Sequence, residues 1–213
     1  GSSDNEFTYT LNANTKAKNY NITKETGTLT VTNRDAKYEI TVEANSATAP
    51  YDGQPHSATG LKTDTFVVNG ETYTVSGLAA EVTATDADEY ANTVTGTPVV
   101  KDAAGNDVTA QFEVHTKNGK LTITKRTVIF TSATDSKPYD GKPLTNHEVT
   151  VTGDGFAEGE GASFNVTGSR TLAGKSDNTY EYTLNSNTNA KNYNITKNTG
   201  TLTITDRETK YDI

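Results

Sequence analysis

The sequence predicts an all-β protein built from tandem small β-sandwich modules of the Ig-like type, arranged end to end. Three observations predict this class. Short segments alternate apolar residues with threonine, glycine-containing dipeptides separate these segments, and no long helical pattern occurs. Many short strands divided by turn signals are typical of a sandwich. The alternative is a β-grasp-like module with a minimal helix, for which residues 79–85 and 156–161 offer at most one turn each.

The clearest predicted strand is residues 199–206, in which Leu202 and Ile204 alternate with three threonines. A period of two is expected for a strand with one buried face, and threonine suits the exposed face because its β-branched side chain fits the pleat. Segments 28–32 and 120–124 repeat this alternation. Further strands are predicted at residues 20–24, 38–43, 93–99, 112–116, 128–132, 149–153, 163–168, 180–184 and 193–197.

Two asparagine–glycine pairs mark predicted hairpin turns. Asn69-Gly70 lies within an apolar-rich segment, residues 67–75, and Asn118-Gly119 separates two predicted strands. Glycine supplies the positive φ that a two-residue hairpin turn needs. Both pairs are therefore predicted to form exposed turns.

A long internal repeat shows how the chain is organised. Residues 180–213 repeat residues 7–40 without a gap, and 24 of the 34 positions are identical. A shorter closing phrase, Gly-x-Leu-Thr-(Val/Ile)-Thr-x-Arg, begins at Gly27, Gly119 and Gly200. An opening phrase with Pro-Tyr-Asp-Gly occurs twice, and each opening precedes a closing. Such repetition is typical of tandem arrays.

These phrases divide the chain into five parts. Residues 1–3, Gly-Ser-Ser, are typical of an expression scar, and residues 4–34 are predicted to be the C-terminal part of a preceding module. Residues 35–126 form the first β module and residues 127–207 the second, and each is expected to bury only its own thin core. Residues 208–213 are predicted to start the next module.

The opening phrases are interpreted as structural turns. Proline sets φ before the tyrosine, and Asp-Gly favours a turn directly after it. The tyrosine ring can then cap the module's core while its hydroxyl reaches backbone or water. The residues of these two turns are Pro50, Tyr51, Asp52 and Gly53, and Pro138, Tyr139, Asp140 and Gly141.

Composition excludes several classes of function. The absence of cysteine excludes disulfides, thiolate metal sites and cysteine nucleophiles. A net charge of −8 argues against a nucleic-acid partner, for which a basic face is expected. No apolar run approaches the ~20 residues of a membrane span, so no membrane insertion of this segment is predicted.

No catalytic, cofactor or metal constellation can be recognised, so no enzyme, cofactor or metal site is predicted. The three histidines, His56, His115 and His147, lack ligand spacing. Asp86-Ala-Asp-Glu89 is the densest acidic cluster, but it lacks the ladder of a calcium loop and is interpreted as a solvated loop. A Lys–Asn or Lys–Asp isopeptide cross-link stays open as an alternative source of stability.

The phrases together resemble the YDG/MBG-type repeats of large bacterial cell-surface proteins. The resemblance rests on Tyr51-Asp-Gly53, Tyr139-Asp-Gly141, Ala17-Lys-Asn-Tyr-Asn-Ile-Thr23, its copy from Ala190, and the Gly-x-Leu-Thr-Ile-Thr closings. It covers the chain from residue 7 onward. The resemblance implies tandem β modules in an adhesin-like, cell-wall-anchored parent protein of the Gram-positive type, located outside the cell.

Two functions of different class are consistent with this sequence. The first is a structural stalk that projects a distal adhesive region, with neighbouring repeats of the same chain as partners. The alternative is a carbohydrate- or mucin-binding adhesin module, whose partners would be host glycans or mucin and whose sign would be a cluster of exposed aromatic residues.

Residues 7–34 raise a separate question, because they match the last strands of the second module but lack its opening half. An isolated three-stranded segment would be marginal in water. Either the physical unit begins near Phe7 and these strands belong with the residues after Arg34, or their apolar residues pack on a neighbouring module or a second copy by strand addition. The apolar residues concerned are Leu11, Tyr20, Ile22, Leu29 and Val31.

Overall fold

The computed structural model describes residues 1–207 and Thr209, so the predicted start of a further module at residues 208–213 otherwise lies outside the described residues. The described chain is nearly all β, with three short 3-10 turns at Ala17–Asn19, Thr109–Gln111 and Ala190–Asn192. Its strands, in order, are β1 (Ser2–Asn5), β2 (Gly27–Thr30), β3 (Tyr38–Glu43), β4 (Ala47–Pro50), β5 (His56–Thr59), β6 (Thr65–Val68), β7 (Glu71–Ala84), β8 (Glu89–Asn92), β9 (Val94–Lys101), β10 (Phe112–Lys117), β11 (Gly119–Thr124), β12 (Arg126–Ser132), β13 (Asp135–Pro138), β14 (Val149–Gly153), β15 (Ala162–Val166), β16 (Gly174–Asn178), β17 (Tyr180–Leu184), β18 (Tyr193–Asn198) and β19 (Gly200–Thr205).

The all-β prediction is confirmed, and most strands lie where alternation placed them. The predicted strands 38–43, 149–153 and 180–184 coincide with β3, β14 and β17. The helical turn considered at residues 79–85 is wrong, because residues 79–84 continue β7 with alternate side chains buried. The predicted strand 20–24 is also wrong, since these residues are not in a strand.

The chain divides into two compact units that cut across the predicted modules. The first unit contains Gly1–Ile40, Thr65–Ser76 and Pro98–His115. The second contains Thr41–Asp64, Gly77–Thr97 and the chain from Thr116 on.

In the first unit, β1 pairs antiparallel with β2, and β6 pairs antiparallel with β7. Asn69 and Gly70 join β6 to β7 with φ of 52° and 85°, which is the predicted hairpin turn. The rings of Tyr38, Tyr73 and Phe112 pack together, with the Phe112 centroid 5.6 Å from that of Tyr38 and 4.8 Å from that of Tyr73. These rings supply apolar area that the threonine-rich strands cannot.

In the second unit, two three-stranded sheets have the same plan. β11 pairs parallel with β4 and antiparallel with β8, and β19 pairs parallel with β13 and antiparallel with β16. The closing phrase is therefore the central strand each time. In the second predicted module, β12 pairs parallel with β18 and antiparallel with β14, while β15 pairs antiparallel with β17.

The hairpin predicted at Asn118-Gly119 is wrong. β10 and β11 do not pair with each other: β10 pairs with β3, whereas β11 pairs with β4 and β8. Gly119 is not among the described residues with positive φ. Glycine is needed there for another reason, because a Cβ on Gly119 would overlap the carbonyl oxygens of Asn45 and Ala44. Gly200 lies equally close to the backbone at Ser132 and Ala133.

The core of the second unit crosses the predicted module boundary at residue 126. One buried cluster contains residues from before the boundary, such as Leu121 and Ile123, and residues after it, such as Val128 and Phe130. The expectation that each module encloses only its own core is therefore wrong. The full cluster is Tyr51, Ala58, Ala87, Leu121, Ile123, Val128, Phe130, Ala157, Val166, Tyr180 and Tyr193.

Candidate functional site: the junction at residue 126

The two Pro-Tyr-Asp-Gly segments form the same turn. Each proline ends a strand, β4 or β13, and the following tyrosine N–H donates to the last residues of the closing strand: Tyr51 to Thr124 O at 2.9 Å and Tyr139 to Thr205 O at 2.8 Å. Each aspartate then accepts a hydrogen bond from the backbone N–H two residues later, and each glycine has positive φ. The remaining members of the two turns are Asp52, which accepts from Gln54 N–H at 2.8 Å, Gly53 at φ 81°, Asp140, which accepts from Lys142 N–H at 2.9 Å, and Gly141 at φ 79°.

The two tyrosine rings differ in their surroundings. Tyr139 is half-buried on Leu144, Leu202 and Ile204, all from the same predicted module. Tyr51 is only 4% exposed, and its ring meets the edge of Tyr193 from the other predicted module, at 5.6 Å between centroids and 86° between planes. The sequence interpretation gave Tyr51 the role of capping its own module, and the structure gives it a contact across the boundary.

Glu160 holds both of these tyrosines. The Tyr51 hydroxyl donates a short hydrogen bond to Glu160 Oε1, and the Tyr193 hydroxyl donates to Oε2 at 2.6 Å. The Tyr193 hydroxyl also accepts from the Ala157 N–H at 3.0 Å. A single carboxylate thus receives one phenol from each side of the boundary, and hydrogen bonds to an ionised acceptor are the stronger kind.

The environment of the two phenols keeps them protonated. Burial, reinforced by the hydrogen bond to Glu160, raises the pKa of Tyr51 to about 12. The same two causes, burial first, raise the pKa of Tyr193. Both side chains are therefore neutral donors throughout the physiological range, and a carboxylate acceptor suits neutral donors.

A second group of polar contacts lies beside the phenols. The 3-10 turn Ala190–Asn192 presents Asn192, which is fully buried, and its Oδ1 accepts from the Ala87 N–H at 2.8 Å while its Nδ2 donates to Asp86 Oδ1 at 2.9 Å. Lys191 Nζ lies 2.8 Å from Asp86 Oδ2. Lys191 and Asn192 lower the pKa of Asp86, and Asp86 raises the pKa of Lys191.

Arg126, at the boundary itself, joins three carbonyl oxygens. Its guanidinium donates to Tyr51 O at 3.3 Å, to Gly155 O at 2.8 Å, and by a short contact to Asp154 O. The planar fork of arginine suits several carbonyls at fixed angles. We define the junction as Tyr51, Asp86, Ala87, Arg126, Ala157, Glu160, Lys191, Asn192 and Tyr193.

Sequence reasoning located Tyr51 and missed most of the other junction residues. A signal for four of them existed, because Lys191, Asn192 and Tyr193 lie in the repeated segment Ala-Lys-Asn-Tyr-Asn-Ile-Thr and Arg126 ends the repeated closing phrase. Glu160 follows a glycine-rich stretch with no repeated counterpart, and nothing in the sequence indicates its two tyrosine partners.

The acidic cluster at residues 86–89 has local hydrogen-bond and ion-pair partners. In the Asp86–Glu89 cluster, Asp86 binds Lys191, Asp88 accepts from the Glu89 N–H at 2.8 Å, and Glu89 pairs with Lys120 at 2.6 Å. Glu39, Glu113 and His115 place one potential ligand atom each within 4.8 Å of one another, but all three are exposed. Among the described residues, no helix is long and apolar enough to cross a membrane.

Comparison of the chain with protein-family models, with curated proteins and with solved structures gives no match.

Proposed function

We propose that this chain is a segment of structural stalk repeats from an extracellular bacterial surface protein, in which successive modules are coupled through junctions of the kind at residue 126. The stalk projects a distal adhesive region, and its main partners are neighbouring repeats. The location outside the cell rests on the resemblance to YDG/MBG-type repeats. The chain itself carries no chemistry in this role.

The junction is the observation that supports this role. A spacer under tension needs modules that do not rotate or separate independently, and a buried edge-to-face ring pair with a shared carboxylate resists both. The apolar cluster continues through the same place, so separating the sides would expose Leu121, Ile123 and Phe130. Rigid coupling gives a repeat array length and stiffness.

A force-extension measurement on the single chain tests the proposal. With handles at both termini, we expect the residues of the second unit on both sides of residue 126 to extend in one cooperative event, with a gain in contour length of about 3.3–3.6 Å per residue. Glu160→Ala is expected to split this event into two smaller ones at lower force. Separate events for the residues of the second unit before and after residue 126 would contradict mechanical coupling.

The carbohydrate-binding alternative has one specific observation in its favour. Phe7, Tyr9 and Tyr20 are 48%, 51% and 61% exposed, and exposed aromatic rings can stack on sugars. A glycan array separates the two functions. The stalk proposal expects no glycan bound, whereas micromolar binding that Tyr20→Ser abolishes would establish the alternative.

A further inference from the structure

The apolar residues of the 34-residue repeat are buried in its C-terminal copy and exposed in its N-terminal copy. In the C-terminal copy, Tyr180, Tyr193, Leu202 and Ile204 are 1%, 4%, 0% and 2% exposed. The same positions in the N-terminal copy are Phe7, Tyr20, Leu29 and Val31, at 48%, 61%, 55% and 78%. Sequences that are 24/34 identical thus form a core in one place and an apolar surface in the other.

The structure shows which strands cover the C-terminal copy. β17 pairs with β15, β18 pairs with β12, and β19 pairs with β13. The strands β12, β13 and β15 are therefore the partners of the C-terminal copy, and the N-terminal copy has no equivalent of them among the described residues. We call residues 126–166 the opening half and residues 176–207 the closing half.

The N-terminal copy already has part of the closing-half structure. β1 pairs with β2 in the register Asn5↔Gly27, which is the register Asn178↔Gly200 of β16 and β19 displaced by 173 residues. The match with the C-terminal copy extends N-terminally beyond residue 7, because Ser3-Asp4-Asn5 corresponds to Ser176-Asp177-Asn178, and Ser3 therefore fits the repeat as well as it fits an expression scar. The 3-10 turn Ala17–Asn19 corresponds to Ala190–Asn192. The counterparts of β17 and β18, whose partners lie in the opening half, are not strands.

Gly27 carries an independent sign of a binding partner. A Cβ on its counterpart Gly200 would overlap the carbonyl oxygens of Ser132 and Ala133, at the end of β12. Around Gly27 no described atom lies within 4 Å of such a Cβ, and its φ is not in the positive range that favours glycine. Nothing in the N-terminal copy itself requires glycine there, whereas an approaching opening half would.

An asparagine also differs between the two copies, being buried in the C-terminal copy and exposed in the N-terminal copy. Asn178 is fully buried, and its Nδ2 donates to Ala133 O and Asn146 O, both at 2.9 Å. Both acceptors lie beside strands of the opening half. The counterpart Asn5 is exposed.

We propose that residues 3–34 are a second closing half, which binds the opening half of a second copy of this chain in the register of residues 176–207. The structure of this chain identifies the binding partner, because the closing half at residues 176–207, whose sequence is nearly the same, already pairs with the opening half. Binding exchanges one closing half for another: the incoming copy takes the place of the resident one, with the same strand pairs and nearly the same buried side chains. The resident copy normally has the advantage of being in the same chain.

The two glycines allow this exchange to be tested with matched variants. Gly200→Ala hinders the resident closing half by overlap with backbone, whereas Gly27→Ala has open space in the free segment and hinders only its binding. We expect the Gly200→Ala chain to form head-to-tail oligomers in sedimentation velocity, and the Gly27→Ala chain to remain like the unmodified one. The double variant Gly27→Ala/Gly200→Ala is expected to lose the oligomers. A Gly200→Ala chain that stays monomeric, or oligomers that Gly27→Ala leaves unchanged, would overturn the proposal.

Cross-linking fixes the register and separates specific binding from aggregation of a poorly folded variant. Thr183 faces Ser163 across β17 and β15, so Thr10 takes that place in the exchanged complex. The chain has no cysteine, so each introduced thiol is unique. On oxidation with diamide, a mixture of a Thr10→Cys chain with a Ser163→Cys/Gly200→Ala chain is expected to give the mixed disulfide, about tenfold faster than with Ser163→Cys alone.

Two controls complete the cross-linking experiment. Ser163→Cys/Thr183→Cys within one chain is expected to close an internal disulfide, which shows that the positions have suitable geometry. Thr32→Cys is the matched negative control, because its counterpart Thr205 pairs with Pro138 in another sheet. Equal cross-linking from Thr10 and Thr32 would show non-specific association and overturn the proposed register.

Discussion

Removing the Tyr51 hydroxyl tests the junction most directly. Tyr51→Phe keeps the buried ring and its edge contact with Tyr193, but it removes one of the two phenols that donate to Glu160. Net contributions of hydrogen bonds to charged groups are about 1.5–3 kcal/mol. We therefore expect Tyr51→Phe to lower the free energy of unfolding by about 2 kcal/mol, and Tyr51→Ala, which also leaves a cavity, by about 3–5 kcal/mol.

The measurement is urea and thermal unfolding followed by far-ultraviolet circular dichroism. For a chain of 213 residues, a loss of 2 kcal/mol corresponds to a fall in Tm of roughly 4–8 °C. Tyr139→Phe is the matched control, because Tyr139 occupies the equivalent turn but lies half-buried on residues of its own predicted module. We expect that control to change stability by less than ~0.5 kcal/mol.

Because Tyr51 and Tyr193 donate to the same carboxylate, their substitutions should not be additive in stability. Tyr51→Phe and Tyr193→Phe remove two donors from one acceptor, so the double variant is expected to show a coupling energy above ~0.5 kcal/mol. Strict additivity would mean that Glu160 does not join the two phenols. A Tyr51→Phe chain as stable as the unmodified one, or a Tyr139→Phe chain that loses as much, would refute the assignment of the junction.

Three further outcomes are expected from the geometry. Because the pKa of Tyr51 is raised from 10.0 to about 12, the folded chain retains a proton that the unfolded chain loses. The contribution of Tyr51 to stability is therefore constant below pH ~10 and falls by about 2–3 kcal/mol between pH 10 and 12 in urea titrations, a decline that Tyr51→Phe should lessen. Gly119→Ala, whose Cβ meets backbone, is expected to cost more than ~2 kcal/mol, whereas Gly70→Ala, with open space but φ of 85°, should cost about 1 kcal/mol in the same assay. Lys191→Met is expected to lower the Tm only slightly, and to lose that effect in concentrated NaCl, because the Lys191–Asp86 pair is partly exposed and salt screens it; a salt-independent loss would indicate a packing role instead.

Strand positions could be predicted because alternation is a local property of the sequence. β3 and β17, for example, bury or half-bury every second residue. Strand partners could not be predicted in the same way, because parallel pairs such as β12 with β18 join residues far apart in the chain. For the same reason the sequence of Asn118-Gly119 predicts a turn, whereas Gly119 allows its strand to approach the backbone at Ala44 and Asn45.

The candidate junction was less predictable than the fold for a related reason. Tyr51 and Glu160 are separated by 109 residues, and a carboxylate in a glycine-rich stretch resembles any solvated acid. Residue type alone does not distinguish Tyr51 from Tyr139, since both follow proline and precede Asp-Gly. The difference is the presence of Tyr193 and Glu160 beside one ring.

In the N-terminal copy, the formation of whole strands also depends on the neighbouring segment. Residues 193–198 form β18 beside β12, while the nearly identical residues 20–25 are not in a strand. A strand with threonine on one face and few large apolar residues on the other gains little from its own backbone, so a partner strand decides whether it forms. The same dependence on neighbouring residues explains why the tyrosine of the Pro-Tyr-Asp-Gly turn is buried at position 51 and half-buried at position 139. In this chain, a repeat segment therefore encodes a set of complementary surfaces, and the neighbouring segment determines which of them become structure.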